Sequence, residues 1–295
     1  MNRRTFLKNL SVFFAIASCR GIPLFNSIPA VYGRNRTAPL IYSNYAESIG
    51  EAFEGEKLIY NIGFWLFEKA AIGRMSLKKN ENGGYTAVLE AETLGVIGWV
   101  TRYRKDTYIT HMNETPDGRR FITSVFDKTI TIGTKTKRTV TNLDYKKGLM
   151  KWKRWTGDKQ EEDREEEIPP DTIYDDPLAA FYNFRFGTYG QIEEGREYHI
   201  PTFPKKGIKT MYVRIAKAEE KNKRIHSDPD DVDYLADIII DKELFGSQTG
   251  KIEAFFTKEM IPMGGIVKDL IFFGDVRGTL IEMSSRVALK RDLPL

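Results

Sequence analysis

GEKLIYNIGF, residues 55–64, decides the fold. Leu58, Tyr60, Ile62 and Phe64 recur at every second position, so an extended chain carries all four on one face. The same rhythm returns downstream. Tyr85, Ala87, Leu89, Ala91 and Thr93 share a face after the turn Asn82-Gly83-Gly84. Further strands are expected over 107–112, over 121–126 after Pro116-Asp117-Gly118, over 138–145, and over 149–155 after Lys146-Lys147-Gly148. They resume over 197–201, 210–216, 235–240, 250–257 and 278–283. Turns bearing glycine between runs of β-branched and aromatic residues predict an antiparallel meander. The charged stretches 158–167, 217–223 and 227–233 are expected to be loops, with 161–167 also readable as charges facing Lys151 to Trp155 on a hairpin, and no longer repeat is visible.

One helix interrupts the meander. In DDPLAAFYNFR, residues 175–185, Asp176 suits an N-cap, Pro177 the first helical position and Gly187 the stop. Leu178, Phe181, Tyr182 and Arg185 form one stripe, which predicts that this helix fills the concave side of a curved sheet.

The order FEGEKLIYNIGFW…AIGRMSL, DDPLAAFYNFR, YHIPTF and GKIEAFFTKEMIPMGGIV resembles the domain-of-unknown-function family 3108 of exported bacterial proteins. The similarity spans most of residues 50–285. Its members open with Gly-Glu-x-Leu-x-Tyr, matched by Gly55 to Tyr60, and carry Asp-Pro-Leu-Ser-Ala-Leu-Tyr, matched by Asp176 to Tyr182 with Phe181 in place of leucine. They close with a strand, a Thr-Asp-Asp turn and a proline, where this chain has Thr257-Lys258-Glu259 and Pro262. The resemblance implies a mainly β fold: a large curved antiparallel sheet, half-barrel or barrel-like, packed around one short helix. It brings no established activity and no catalytic residues.

Upstream, NRRTFLKNLSVFFAIASC (residues 2–19) reads as an address. A basic start, an apolar run too short to span a bilayer and small residues beyond it predict an export signal over residues 1–33. Arg3 and Arg4 fit the twin-arginine pattern, with an ordinary secretory signal as the competing reading. Ile16-Ala17-Ser18-Cys19 resembles a lipobox that would acylate Cys19, whereas a cut after Gly33 would discard it. The expected location is the periplasm, free or lipid-anchored to a membrane through Cys19. Residues 34–53 read as a tether or short lead-in helix, 54–287 as one β-rich domain and 288–295 as a tail.

Composition narrows the function. The chain has 45 basic and 41 acidic residues, but Arg3, Arg4, Lys8 and Arg20 leave with the signal, so the mature chain is balanced and offers no electrostatic case for nucleic acid. Cys19 is the sole cysteine, so the fold rests on its core and ladders without a disulfide. His111, His199 and His226 are dispersed and show no metal-ligand spacing. Nucleophile-elbow, dinucleotide, P-loop and covalent-haem motifs are missing from the sequence, and no cofactor is expected. Asp175-Asp176 is the best local carboxylate pair, and capping the helix explains it better than glycoside cleavage. Trp152 and Trp155, at odd spacing, project to opposite faces of a strand unless a bulge intervenes.

The remaining candidates concern a ligand. Arg185 on an apolar stripe either snorkels to solvent, pairs with a carboxylate, Glu56 being a candidate, or binds a ligand headgroup. Met260 and Met263 lie in an apolar, glycine-bearing segment that reads either as a mobile flap or as a turn followed by a core strand. Trp65 and Phe67 belong to an apolar tip. With Tyr182, these residues would line a greasy mouth if both segments met at one open end. The leading expectation is a non-catalytic binding protein for a lipid or other apolar or amphipathic ligand. The alternatives are an envelope assembly factor that holds a protein partner and, behind it, a glycan-active enzyme.

Overall fold

The computed structural model describes residues 46–81, 83–205, 208–225, 232–271 and 273–285. The export signal, Arg3, Arg4, Cys19, His226 and the 288–295 tail lie outside the described residues.

Fourteen strands form one antiparallel, curved and unclosed sheet. The first meander is β1 (Lys57–Phe64), β2 (Phe67–Lys79), β3 (Tyr85–Thr93), β4 (Lys105–Glu114), β5 (Phe121–Ile132), β6 (Lys135–Asp144), β7 (Leu149–Thr156) and β8 (Lys159–Glu167). The second is β9 (Glu197–Lys205), β10 (Ile208–Ile215), β11 (Tyr234–Ile239), β12 (Lys251–Phe256), β13 (Pro262–Leu270) and β14 (Gly274–Ser284). Pairing of β1 with β14 joins the meanders, from Lys57 opposite Ser284 to Gly63 opposite Arg277. The spatial order therefore runs from β8 down to β1, then from β14 down to β9, and the free edges are β8 and β9. Register breaks at Ile59/Tyr60, His111/Met112, Arg154/Trp155 and Phe255/Phe256 add local bends to the natural strand twist.

Among the described residues four helices accompany the sheet: α1 (Ile49–Phe53), α2 (Gly95–Val100), α3 (Pro177–Phe186) and α4 (Ala218–Arg224). Helix α3 is the one legible in DDPLAAFYNFR. It packs with α1 against Leu58, Met75, Leu77, Tyr85, Phe121, Ile200 and Ile215, the principal apolar core. Gly187 takes a left-handed φ of 85° at its C-cap, which a residue without Cβ adopts freely. Ala46, Ile49, Ala52 and Phe53 are buried in that core. Helix α1 thus lies within the stretch read as a tether or short lead-in helix.

The structure corrects or decides four segments. Residues 217–223, an expected loop, lie largely in helix α4. The acidic run 158–167 forms β8, in which Lys151 pairs with Glu165, Lys153 with Asp163 (3.2 Å) and Arg154 with Glu162 (3.2 Å) across the hairpin. Residues 67–72 belong to the long strand β2. The segment 262–267 takes the second of its two expected readings, a turn followed by a core strand: β13 pairs with β12 on one side and β14 on the other.

Candidate functional site

The concave side of the sheet has a filled end and an open end. At the filled end, Arg185 of α3 lies within a ring of apolar and aromatic neighbours. Its Nη1 and Nη2 donate to Glu56 Oε2 and Oε1 at 2.7 and 2.9 Å, and its Nε donates to the Met260 carbonyl at 2.9 Å. The guanidinium also lies 4.7 Å and 4.8 Å from the Phe53 and Phe181 ring centres. A bidentate pair of this kind is a structural clasp between α3 and the entrance to β1.

Beside it sits a polar cluster. Asp176 caps α3, accepting from Leu178 N (2.8 Å) and Ala179 N (3.3 Å), and from the hydroxyls of Thr110 (2.7 Å) and Thr123 (2.6 Å). Asp175 accepts from Arg120 Nη2 (3.0 Å), Asn183 Nδ2 (3.3 Å) and the Tyr189 hydroxyl. Both carboxyls are fully buried, and burial raises their pKa values, that of Asp175 to about 6. They face packed protein, so a substrate has no route to them.

The open end is different. Ile62, Ala71, Ala91, Thr93, Val267 and Val276 line a cavity of about 170 Å³, with Phe64, Ile97 and Phe273 around its outer part. Small side chains on facing strands leave this space. Among the described residues the charged groups on its wall are Glu92, Arg104 and Asp106, the last two in a two-point ion pair at 2.8 and 2.7 Å. A second cavity of about 130 Å³ lies between β5–β7 and β9–β10, lined by Phe126, Lys128, Met150, Trp152, Phe203 and Met211 among others.

The β11–β12 connection separates the two cavities. Its Leu244 lines the smaller and its Phe245 the larger. The Leu244 carbonyl accepts from the Tyr108 hydroxyl (2.8 Å) and from Lys128 Nζ (2.6 Å), while Ser247 Oγ donates to Lys268 O (2.7 Å). The connection is therefore a strap that reaches from β13 across the concave face to β4 and β5.

These positions divide the expected ligand residues. Trp65 and Phe67 lie at the open end, where Phe64 contacts the rings of Trp65, Phe67 and Phe273. Tyr182, Arg185 and Met260 are buried at the opposite end, and Met263 packs at the edge of the principal core. The expected mouth shared by Trp65 and Met260 does not form, because β13 runs the length of the sheet between them. Trp152 faces the smaller cavity, whereas Trp155 lies against Arg138 on the other face, 5.9 Å from ring centre to guanidinium. Sequence reasoning missed Leu244 and Phe245, whose signal was an apolar pair inside a polar, glycine-ended connection. Among the described residues no group of three or more His, Cys, Asp or Glu side chains is placed to hold a metal ion.

An unclosed antiparallel half-barrel with a helix-filled end and an apolar open end defines the class of the protein. The family model for proteins of unknown function, DUF3108, matches residues 59–235, more than half of the chain, and the protein belongs to that family. No curated protein matches the chain. Among solved structures it is similar to the crystal structure of a beta-barrel-like protein of the domain of unknown function DUF1849 from Brucella abortus, at 15% identity and a TM-score of 0.43, covering 79% of this chain and 98% of that one.

Proposed function

We propose that this is an exported envelope protein that binds an apolar or amphipathic ligand without catalysis, the apolar part entering the cavity behind Phe64 and Phe273. The observation that carries the reading is the apolar cavity of about 170 Å³ on the concave face. A space walled mostly by aliphatic and aromatic side chains favours hydrocarbon. Small-molecule sites commonly measure roughly 300–1,000 Å³, so this cavity suits the end of an acyl chain. A longer stretch fits when the strap moves and the two cavities join. The sequence of residues 2–19 supports the reading, since an export signal there would bring the protein beside a lipid source.

A rival reading, an assembly factor that captures a partner by strand addition, has less support. Edge strand β8 reads KQEEDREEE, and edge strand β9 contains Pro201 and Pro204. Charge and proline on edges oppose further pairing. A glycan-active enzyme needs two carboxyls in an open cleft, and Asp175 and Asp176 are closed off by packing.

Native mass spectrometry of the full chain, purified without detergent, tests the proposal. The expected result is an additional mass that dissociates as a lipid, weakened in Ala91→Phe and Val276→Phe, which fill the cavity. Urea unfolding of both variants verifies that they fold. A mass of protein alone, or a lipid retained equally by both folded variants, would sink the reading.

A further inference from the structure

Ten large apolar side chains are exposed among the described residues, and seven of them lie on or beside four turns at the open end: Trp65, Leu66, Val96, Trp99, Tyr103, Ile132 and Ile271. The exposure is large, 59% for Trp65 and Trp99, 63% for Tyr103 and 84% for Leu66. Isolated exposed apolar residues need no explanation, but a contiguous group does. The group is contiguous here. Ile97 of α2 packs with Phe64 and Ala70 beside the β1–β2 turn, Phe273 joins them from the β13–β14 turn, and Gly133 N donates to the Arg102 carbonyl at 2.8 Å. Turns at the opposite end read NENGG (80–84), TPDGRR (115–120) and YKKG (145–148) and are polar.

Charge at the open end is mixed, with Asp241, Glu243, Asp269 and Asp275 on or beside its other turns and Asp275 3.2 Å from Lys268, and it is locally basic around Arg102. From Leu94 to Lys105 the chain has no acidic residue, and neither do the turns 65–66, 133–134 and 271–273. Arg102 and Lys135 are exposed beside the aromatic side chains. Glu68 is offset by neighbouring Lys69, and Asp158 on the β7–β8 turn marks the limit of the patch. Tryptophan and tyrosine at turn tips with nearby cations match the boundary layer of a bilayer, where the rings enter the headgroup region and the cations meet anionic lipid.

We propose that this rim is a docking surface for an anionic lipid bilayer, set against the membrane by Trp65, Trp99 and Tyr103 and held by Arg102 and Lys135. The inference deepens the lipid-binding reading by giving the cavity a membrane to face, and it is measured separately from cavity occupancy. The test uses the full chain with vesicles of phosphatidylcholine, alone or mixed with phosphatidylglycerol. Co-sedimentation is expected to favour the anionic vesicles. Trp65→Ser combined with Trp99→Ser should weaken binding about tenfold or more, and Arg102→Glu and Lys135→Glu about fivefold each or more. Residues 1–45 are common to every variant, so differences report the rim alone. Amide exchange supplies a local readout: anionic vesicles should slow residues 65–67 and 95–103 and leave the opposite-end turns 115–120 and 145–148 unchanged. Equal vesicle binding by all folded variants, or exchange at those residues unaffected by vesicles, would overturn the proposal. Protection that arises without vesicles, through self-association, would also overturn it and assign the rim to a second copy of the chain. Loss of vesicle binding with a lipid still present in the native mass spectrum, or the converse, tells failure of one proposal from failure of the other.

Discussion

Asp175 is the residue at which burial and pairing are most evenly opposed. Desolvation lifts its carboxyl from 3.8 to about 6, while Arg120 and the Tyr189 hydroxyl pull it down. Because the folded value is the higher one, the native state takes up this proton before the unfolded chain does as pH falls. The stabilising contribution of Asp175 is therefore fully present below the ordinary carboxyl value and is lost as pH rises through about 6. Asp176 shifts in the same direction. Exposed carboxyls such as Asp117 and Asp144 shift the other way, so the informative quantity is the difference between the parent and Asp175→Asn. Between neutral pH and pH 4 the parent should gain stability relative to that variant, measured by urea unfolding at several pH values. A constant difference would mean that Asp175 keeps one protonation state throughout. The Asp176 cap and the Arg185–Glu56 pair were readable in advance, since proline after aspartate marks a helix start and a carboxylate is one natural partner of an arginine on an apolar stripe. The Asp175 cluster was not, because Arg120 and Tyr189 reach it from segments 55 and 14 residues away.

Legibility at the scale of elements followed burial. A strand with one covered and one exposed face, such as β4, alternates and was readable. In β8 the side chains are almost all exposed, so nothing in KQEEDREEE marks an extended chain apart from its complementarity to Lys151, Lys153 and Arg154. The beginning of β2 failed for the opposite reason: α2 covers it on one side, and Ala70 and Ala71 are both buried. The cavity escaped notice because it arises from small residues on strands that become neighbours only after pairing. The β8 charges carry a prediction. Replacing Glu162, Asp163 and Glu165 by valine or threonine should leave the monomer folded but promote self-association, seen as light scattering and earlier elution in gel filtration. An unchanged monomer would show that charge is not what keeps this edge single.

For the molecule as a whole, the decisive contact is the seam between β1 and β14, which periodicity within either segment could not reveal. A chain ending at residue 272 retains two meanders but leaves β1 and β13 each without a neighbour on one side. It should lose the single cooperative urea transition and expose apolar surface to a dye such as ANS. A sharp transition near the parent midpoint would mean that either meander is stable alone.

The seam also has a consequence in time. A ribosome releases β1 first and β14 last, so throughout most of synthesis the unpaired margin of the nascent sheet is β1, with Leu58, Tyr60, Ile62 and Phe64 along it. The charge of β8 and the prolines of β9 guard the finished margins and offer this transient one no protection. Whatever meets the chain as it is made, a chaperone or an export receptor, must shield the first strand until the last arrives. Synthesis rate and chaperone supply should therefore govern the yield of this protein more strongly than its final stability does.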